Sequence, residues 1–321
     1  MKKLLITIAF IISSAQLVFA QEYPQKPITL VVGFPPGGGA DAVARIVSDK
    51  LSRVLEQPII INNMPGAGTT IASAYVAKAA PDGYTLLLAG PGLYGADQYL
   101  YKSAKYDGVK NFTAITRWSL APMMLAANKD VPVKNTQELI AYAKKNPDKV
   151  TYSSSGVGVV THLAALEFEK ATNTKLMHIP YKGGAPSLQA LAAGDVQISF
   201  GTPPSVMPLA QSGRLKILSV TTQQRSPLFA DIPSMKDAGV KDLDFTFWFG
   251  LYGPAGLPTD VSKKLFDASL VALNDPEVKA RLEKSGNNAA PSKSQNDFLM
   301  LSIGEGRKSK DLLEQTGAKV E

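Results

Sequence analysis

The sequence contains no cysteine in its 321 residues. A disulfide scaffold, a zinc site built on thiolates and a cysteine nucleophile are therefore all excluded. Histidine is nearly as scarce, since only His162 and His178 are present, and this leaves little room for a metal centre built on imidazoles. We expect a protein that uses neither a metal ion nor an organic cofactor.

Long basic runs are also missing, although 34 lysines and arginines against 27 acidic residues give a formal net charge of +7. No basic run is longer than a pair such as Lys144-Lys145, and basic residues do not alternate with aromatic ones as a nucleic-acid groove requires. A mild cationic surplus suits solubility or the attraction of small anions. We expect no nucleic-acid partner.

The common catalytic motifs are absent too. The sequence has no G-x-x-x-x-G-K-[ST] phosphate loop, no G-x-S-x-G nucleophile elbow and no H-E-x-x-H zinc helix. Gly37-x-Gly39-x-x-Ala42 matches a loose dinucleotide fingerprint, but Asn62-Asn63 stand where the acidic residue that binds ribose should follow. No nucleophile–base pair can be assembled, so the sequence favours a binding protein over an enzyme.

The first twenty residues have the pattern of a secretory signal peptide. Two lysines precede an apolar run from Leu4 to Ile12, and the segment ends in Val18-Phe19-Ala20, which signal peptidase accepts. The apolar run is too short to span a membrane, and no cysteine follows that could carry a lipid anchor. We expect residues 1–20 to be removed and the mature chain, from Gln21, to be periplasmic.

Hydrophobic periodicity predicts alternating strands and helices in the mature chain, which is typical of βα units and a mostly parallel sheet. The predicted elements are strand 28–34, helix 41–56, strand 59–61, helix 69–78, strand 85–89, helix 136–145, strand 150–153, helix 159–172, strand 176–179, helix 186–193, strand 196–200 and C-terminal helices over 261–273, 276–284 and 298–315.

Two long extended stretches without a helix of their own, 113–127 and 244–254, predict passages between two lobes. A chain that leaves one α/β lobe, builds a second and returns needs two such crossings. We therefore predict an α/β fold with a first lobe formed by residues 21–120 plus 248–321 and a second lobe formed by residues 121–247.

Glycine-rich turns lie between predicted strands and helices at four places, 34–41, 65–70, 153–158 and 182–186. Free amides in such turns, together with the partial positive charge of a helix N-terminus, favour an anion. One helix terminus contributes about 0.3–1 kcal/mol, whereas micromolar binding needs about −8 kcal/mol. Several turns and some apolar burial must therefore act together, which predicts a carboxylate site in a cleft between the lobes.

Four segments together resemble the Bug family, the extracytoplasmic solute receptors of the tripartite tricarboxylate transporters. They are FPPGGGADAVAR (34–45), NMPGAGTTIASAYVAKAAPDGYTLLLA (63–89), YSSSGVGVVTHLAALEF (152–168) and IPYKGGAPSLQALAAGDVQISF (179–200). The resemblance implies a two-lobed periplasmic-binding-protein fold, type II-like, that closes on a carboxylated solute and delivers it to a two-subunit membrane permease. When the family's contact positions are carried over to this chain, the resemblance implies two sets of ligand contacts. Those of the first lobe are Gly37, Gly38, Thr69, Thr70 and Ala72, and those of the second lobe are Ser154, Ser155, Gly158, Val159, Gly201 and Thr202.

Two departures from the family pattern bear on the ligand. Gly68-Thr69-Thr70-Ile71-Ala72 stands where members often carry G-G-N-x-G, and Gly201-Thr202-Pro203-Pro204 stands where many carry Asp-Asn. Loss of that acid removes a partner for an ammonium group. The change disfavours amino acids and favours an aromatic carboxylate or a dicarboxylate.

Aromatic and histidine side chains complete the set of candidates. Of Phe34, Trp118, Trp248 and Phe249, we expect Phe34 and Trp248 to add flat apolar surface to the site. His162, in the first turn of its helix, either contacts the ligand or makes a local hydrogen bond.

Two other functions stay open at this point. The chain could be a solute sensor for a membrane kinase, or an exported enzyme that acts on small organic acids. Neighbouring permease or kinase genes separate transport from sensing, and turnover of a bound acid would reveal an enzyme. We expect a monomer whose partners are the small carboxylate and the permease.

Overall fold

A computed structural model describes residues 22–102 and 104–317 of the chain, and the statements below concern these residues. The predicted signal peptide lies outside them. The strands are β1 Ile28–Val32, β2 Ile59–Asn63, β3 Thr85–Ala89, β4 Phe112–Pro122, β5 Met124–Asn128, β6 Thr151–Ser154, β7 Met177–Pro180, β8 Ile198–Gly201, β9 Leu215–Val220, β10 Thr246–Pro254 and β11 Asn288–Ala289. The α-helices are α1 Gly39–Val54, α2 Thr70–Val76, α3 Ala96–Leu100, α4 Thr136–Lys145, α5 Val160–Thr172, α6 Gly184–Ala193, α7 Pro203–Gln211, α8 Thr259–Asn274, α9 Pro276–Lys284 and α10 Gln295–Thr316.

The strands form two sheets, as the two-lobe prediction requires. A six-stranded sheet has the order β11-β4-β10-β3-β1-β2, and a five-stranded sheet has the order β7-β6-β8-β5-β9. We call the six-stranded sheet with α1–α3 and α8–α10 the first lobe, and the five-stranded sheet with α4–α7 the second lobe.

The sheets are mixed, which corrects the expectation of a mostly parallel sheet. Strands β1, β2 and β3 are parallel, as are β6, β7 and β8. However, β10 is antiparallel to both β3 and β4, and β5 is antiparallel to both β8 and β9. Periodicity reports which faces of a strand are buried but carries no information about its direction.

The two crossings between the lobes lie side by side. Only Met123 separates β4 from β5, and β10 begins directly after Phe245. Thr221 joins the two crossings, because its Oγ1 accepts the Met123 N–H at 2.9 Å and donates to the Phe245 carbonyl at 2.6 Å. The backbone connections that link the lobes therefore form one compact, hydrogen-bonded junction.

The burial pattern of each segment explains why it forms a strand or a helix. β5 is buried along its whole length and β3 at every position but the first, as expected for strands covered on both faces. Helix α1 buries Val43, Val47 and Leu51 on one face, which matches the spacing seen in the sequence. Three predictions agree with the structure residue for residue, Thr85–Ala89, Thr136–Lys145 and Pro276–Lys284.

Several elements escaped the sequence reasoning. Helix α7 begins with Pro203-Pro204 and contains Pro208, so its composition indicated a loop. Proline is nevertheless favoured in the first turn of a helix, where its missing N–H costs no hydrogen bond. The short helix α3 and the strand β9 were missed as well.

The C-terminal helix α10 packs on the first lobe, as expected. Phe298 is fully buried, with its ring 5.0 Å from Tyr252 and 5.5 Å from Trp248. Along the described part of the chain, no helix is both long enough and apolar enough to cross a membrane.

Candidate ligand-binding cleft

The carboxyl ends of parallel strands from both lobes face each other across a cleft. Strands β1 and β3 of the first lobe and β6 and β8 of the second lobe end in turns there, which is where α/β sheets commonly hold ligands. The cleft comprises three connected hollows, and Phe34 lines all of them. The widest hollow, between the turns at 65–69 and 180–183, has a volume of about 740 Å³.

The turn after β1 is shaped by Asp41, the third residue of α1. The Gly37 N–H donates to Asp41 Oδ2 at 3.0 Å, Arg45 Nε donates to the same oxygen at 2.9 Å, and Asn63 Nδ2 donates to Oδ1 at 3.1 Å. Burial opposes ionisation of Asp41, but these donors outweigh it and lower the pKa of the carboxyl. The Gly37 amide is thus already used, whereas Gly38 and Gly39 line the cleft.

The second turn of the first lobe brings Thr69 to the cleft but not the two residues predicted beside it. Thr69 lines two of the hollows, and its Oγ1 donates to Asp97 Oδ2 at 3.3 Å. Thr70 and Ala72 lie behind it on α2 and are buried. Ala72 packs in a core cluster with Val31 and Leu87.

The turn after β6 supplies three of the predicted contacts from the second lobe. Ser155, Gly158 and Val159 all line the cleft. The Ser155 N–H donates to Thr161 Oγ1 at 2.8 Å, and the Gly158 N–H donates to His162 Nδ1 at 3.0 Å. The shape of this turn is therefore fixed by side chains from the first turn of α5.

Ser154 lies inside the second lobe instead of on the cleft. It is fully buried, and its Oγ lies 2.6 Å from His178 Nε2 and 3.0 Å from the Gly156 carbonyl oxygen. These contacts fix the turn from its buried side. Because the hydroxyl is buried, the Ser154–His178 pair is not presented to a substrate.

His162 lines a separate hollow, which is formed by the second lobe and by Gln315 and Thr316 at the end of α10. Its ring stacks on His178 at 4.1 Å between centroids, and His178 stacks on Tyr152 at 4.8 Å. Burial lowers the pKa of His162 to about 3 and that of His178 to about 4, so both rings are neutral near pH 7. Of the two alternatives for His162, the structure shows the local hydrogen bond.

Gly201, the last residue of β8, and Thr202, directly after it, line the hollow that also contains Gly38 and Gly39. Thr202 Oγ1 lies 3.1 Å from Ser205 Oγ in the first turn of α7. A methyl group added at Gly39 would lie only 2.9 Å from Thr202 Oγ1. The two lobes therefore touch at this point, and the absence of a side chain at residue 39 permits it.

Of the two neighbouring aromatic residues on β10, the structure brings Phe249 to the cleft. Phe249 lines two of the hollows and packs edge-to-face with Phe34 at 6.2 Å. Both residues are only 3% exposed, but Trp248 packs against Phe298 in the core of the first lobe and lines none of the three hollows, because successive side chains on a strand face opposite sides. Trp118 is fully buried as well, and its Nε1–H donates to Ser269 Oγ at 3.3 Å.

Sequence reasoning missed Asp97 at the inner end of the cleft. Asp97 is only 3% exposed and lines the hollow that also contains Thr69, Gly158 and Val159. A signal was available, since Gly90-Pro91-Gly92 is a further glycine turn at the carboxyl end of a buried strand. Within residues 22–102 and 104–317, no group of three or more histidine, aspartate or glutamate side chains could hold a metal ion.

The sequence profile described as the tripartite tricarboxylate transporter family receptor matches residues 43–318. The chain belongs to this receptor family. Among related proteins, it is 35% identical over 298 residues to a Cupriavidus necator protein described as a UPF0065 protein in the gbd 5′ region, covering 93% of this chain and 90% of that one. It is 30% identical to BugT of Bordetella pertussis, covering 92% and 86%.

Solved structures of the receptor family agree with the fold. An R. palustris protein solved with adipate is 30% identical, with a TM-score of 0.88 over 93% of this chain and all of that one. The periplasmic binding protein BugD is 30% identical with a TM-score of 0.85, covering 93% of this chain and all of BugD. MatC from Rhodopseudomonas palustris with bound malate is 30% identical, with a TM-score of 0.84 over 91% of this chain and all of MatC. The predicted family and the predicted two-lobed fold are confirmed.

Proposed function

We propose that this receptor binds a small carboxylate between its lobes in the periplasm and delivers it to a two-subunit membrane permease. The observation that carries the proposal is the chemistry of the cleft. Glycine turns after β1, β2, β3, β6 and β7 converge on it with the end of β8, and Thr69, Ser155 and Thr202 add hydroxyl groups. Such groups hold an anion by hydrogen bonds and partial charges.

The charge of the cleft favours a ligand with one or two carboxylates. Among the described residues that line the three hollows, Lys182 is the only cation and Asp97 the only acid. Citrate would require more positive partners than this. Two family members with 30% identity were solved with adipate and malate, which are dicarboxylates.

The floor of the cleft favours a ligand with a flat apolar part. Phe34 and Phe249 lie there together, and burial of a ring gains roughly 25 cal/mol for each Å² of apolar surface. We therefore favour an aromatic carboxylate or a dicarboxylate. The contacts proposed for it are Phe34, Gly38, Thr69, Ser155, Gly158, Val159, Gly201 and Thr202, with Phe249 in place of Trp248.

We further propose that the chain acts as a monomer and by binding alone, without turnover of its ligand. The division into residues 21–120 with 248–321 and residues 121–247 is proposed as the pair of units that close on the ligand. The junction at Met123, Thr221 and Phe245 supports it, because hinges are formed by a few residues between rigid elements.

A thermal-shift screen of organic acids tests the proposed ligand class, because a ligand that binds the native state raises Tm by mass action. The set contains benzoate, phthalate, adipate, malate, citrate and glutamate. We expect the largest increase in Tm with phthalate, benzoate or adipate. A large shift with citrate or glutamate and none with benzoate or phthalate contradicts the ligand choice. The absence of any shift contradicts the receptor function itself.

A further inference from the structure

Asp97 is a buried carboxyl group at the inner end of the cleft. It lies on α3, directly after the Gly90–Gly95 segment, and is only 3% exposed. The hollow that it lines is closed on the opposite side by Gly158, Val159 and Val160 of the second lobe. A ligand at this depth would meet both lobes, with Asp97 on the first-lobe side.

The partners of Asp97 are neutral. Tyr106 OH donates to Asp97 Oδ2 at 3.0 Å, and Thr69 Oγ1 donates to the same oxygen at 3.3 Å. Within the described residues, no lysine, arginine or histidine forms an ion pair with Asp97. Both donors thus bond one oxygen, and no cation balances the charge of the carboxylate.

The titratable groups that face Asp97 are Tyr101 and Tyr106. Burial raises the pKa of Tyr101 to about 12 and that of Tyr106 further, so both phenols are uncharged near neutral pH. Burial also raises the pKa of Asp97 to about 7, and the hydrogen bonds from Tyr106 and Thr69 only partly oppose this. A second anion nearby would raise the pKa of Asp97 again, since like charges disfavour ionisation.

We propose that Asp97 takes up a proton when a ligand carboxylate enters the inner end of the cleft, and donates it in a hydrogen bond to that carboxylate. The proton comes from solvent and binds Oδ1, while Oδ2 keeps its bonds from Tyr106 and Thr69. No bond between heavy atoms forms or breaks. This inference rests on the proposed function and adds to it that carboxylate binding is coupled to proton uptake.

The coupling makes affinity depend on pH in a defined direction. Below about pH 7, Asp97 already carries its proton and the ligand binds at full strength. Above that pH, each bound ligand must recruit a proton, so affinity falls by up to tenfold per pH unit. The two histidines of the second lobe do not contribute in this range, because their pKa values lie at about 3 and 4.

Titration calorimetry tests this with phthalate and adipate as probes, both almost fully ionised at pH 7 and pH 8, where proton uptake is measured. Measurements at pH 8 in two buffers with different heats of ionisation give the number of protons taken up. We expect close to one proton per ligand at pH 8, and a Kd about fivefold higher at pH 8 than at pH 7, because half of Asp97 is already ionised at pH 7. No proton uptake together with a constant Kd contradicts the Asp97 proposal but leaves the receptor function standing. If neither acid binds at pH 6 or pH 8, both are contradicted.

Two variants test which residue takes up the proton. Asp97→Asn cannot take up a proton, so its Kd should be the same at pH 7 and pH 8. Uptake that persists in this variant contradicts the proposal. Glu169→Gln is the matched control. Burial raises the pKa of Glu169 to about 7 as well, but this residue lines the separate hollow that contains His162 and His178, not the cleft. This control should keep the proton uptake of the wild type.

Tyr106→Phe gives a second test that does not depend on the folding of Asp97→Asn. Loss of a donor to Oδ2 raises the pKa of Asp97, because that hydrogen bond lowers it. The pH at which affinity begins to fall should therefore move upward. An unchanged pH profile in Tyr106→Phe contradicts the proposal.

Discussion

Single side chains near the starts of helices shape the turns that line the cleft. Asp41 accepts the Gly37 N–H, Thr161 accepts the Ser155 N–H, and His162 accepts the Gly158 N–H. In each case the side chain lies four to six residues after the amide that it binds. These hydrogen bonds fix the backbone in place before a ligand arrives, which reduces the ordering cost of binding.

His162 permits a direct test of this role. His162→Leu leaves the buried Gly158 N–H without an acceptor, so we expect the free energy of unfolding at pH 7 to fall by about 1–3 kcal/mol. His162→Asn offers an oxygen close to the position of Nδ1 and should lose less. Urea unfolding at pH 7 measures both, and wild-type stability in His162→Leu contradicts a positioning role.

The same histidine should contribute to acid sensitivity. An unfolded histidine has a pKa near 6.5, and burial lowers that of His162 to about 3. The stability that its neutral ring contributes is therefore present above pH 6.5 and is lost progressively as the pH falls toward 3. Between pH 7 and pH 5, the wild type should lose more stability than His162→Asn.

At the level of elements, the sequence could predict most strands and helices but not how they pair. Apolar runs and helical spacing identified β3, α4 and α9 to the residue, because the order of apolar and polar residues shows which side chains are buried. Strand direction depends on how the chain crosses between the lobes. Helix α7 was not predicted because it contains prolines, although the first turn of a helix tolerates them.

The site residues also divide into those that the sequence analysis named and those that it missed. Turn residues such as Gly38, Ser155 and Thr202, which the family resemblance implied by position, do line the cleft. The placement of Trp248 could not be predicted, since β10 has a register shift between Phe249 and Gly250, and a shift of one residue exchanges the two faces. Asp97 was missed although the glycine turn at residues 90–92 was visible, because the sequence does not show that Thr69 and Tyr106 fold against its carboxyl group.

The contact between the turn at α1 and the turn at α7 can be tested with Gly39→Ala. Gly39 has no left-handed φ, so alanine fits its backbone, but its methyl group would press on Thr202 of the other lobe. We expect an approximately tenfold loss of ligand affinity, about 1.4 kcal/mol, with less compaction on ligand addition in small-angle scattering. Gly304→Ala on α10 is the control, since nothing lies within 4 Å of the added methyl group. Equal affinity and compaction in Gly39→Ala and wild type contradict a closure contact.

At the scale of the whole molecule, the described chain crosses between the two sheets at Met123 and at Phe245, and the lobes meet again across the cleft and where α10 packs on α5. Contacts from both lobes surround the same hollows, including the bond from Tyr101 OH to the Val157 carbonyl at 3.0 Å. A ligand that bridges these turns therefore favours the closed arrangement over an open one, in proportion to the contacts that it makes with both lobes.

The most direct test of carboxylate capture is titration calorimetry with one acid and its matched derivatives. The acid that gives the largest thermal shift is compared with its amide and its methyl ester at pH 6.5. The three ligands have similar shapes, but only the acid carries the charge that the turn amides and helix N-termini are proposed to hold. We predict that the acid binds at least about tenfold more tightly, which corresponds to about 1.4 kcal/mol. Equal affinity of the acid and its ester would contradict carboxylate recognition in this cleft.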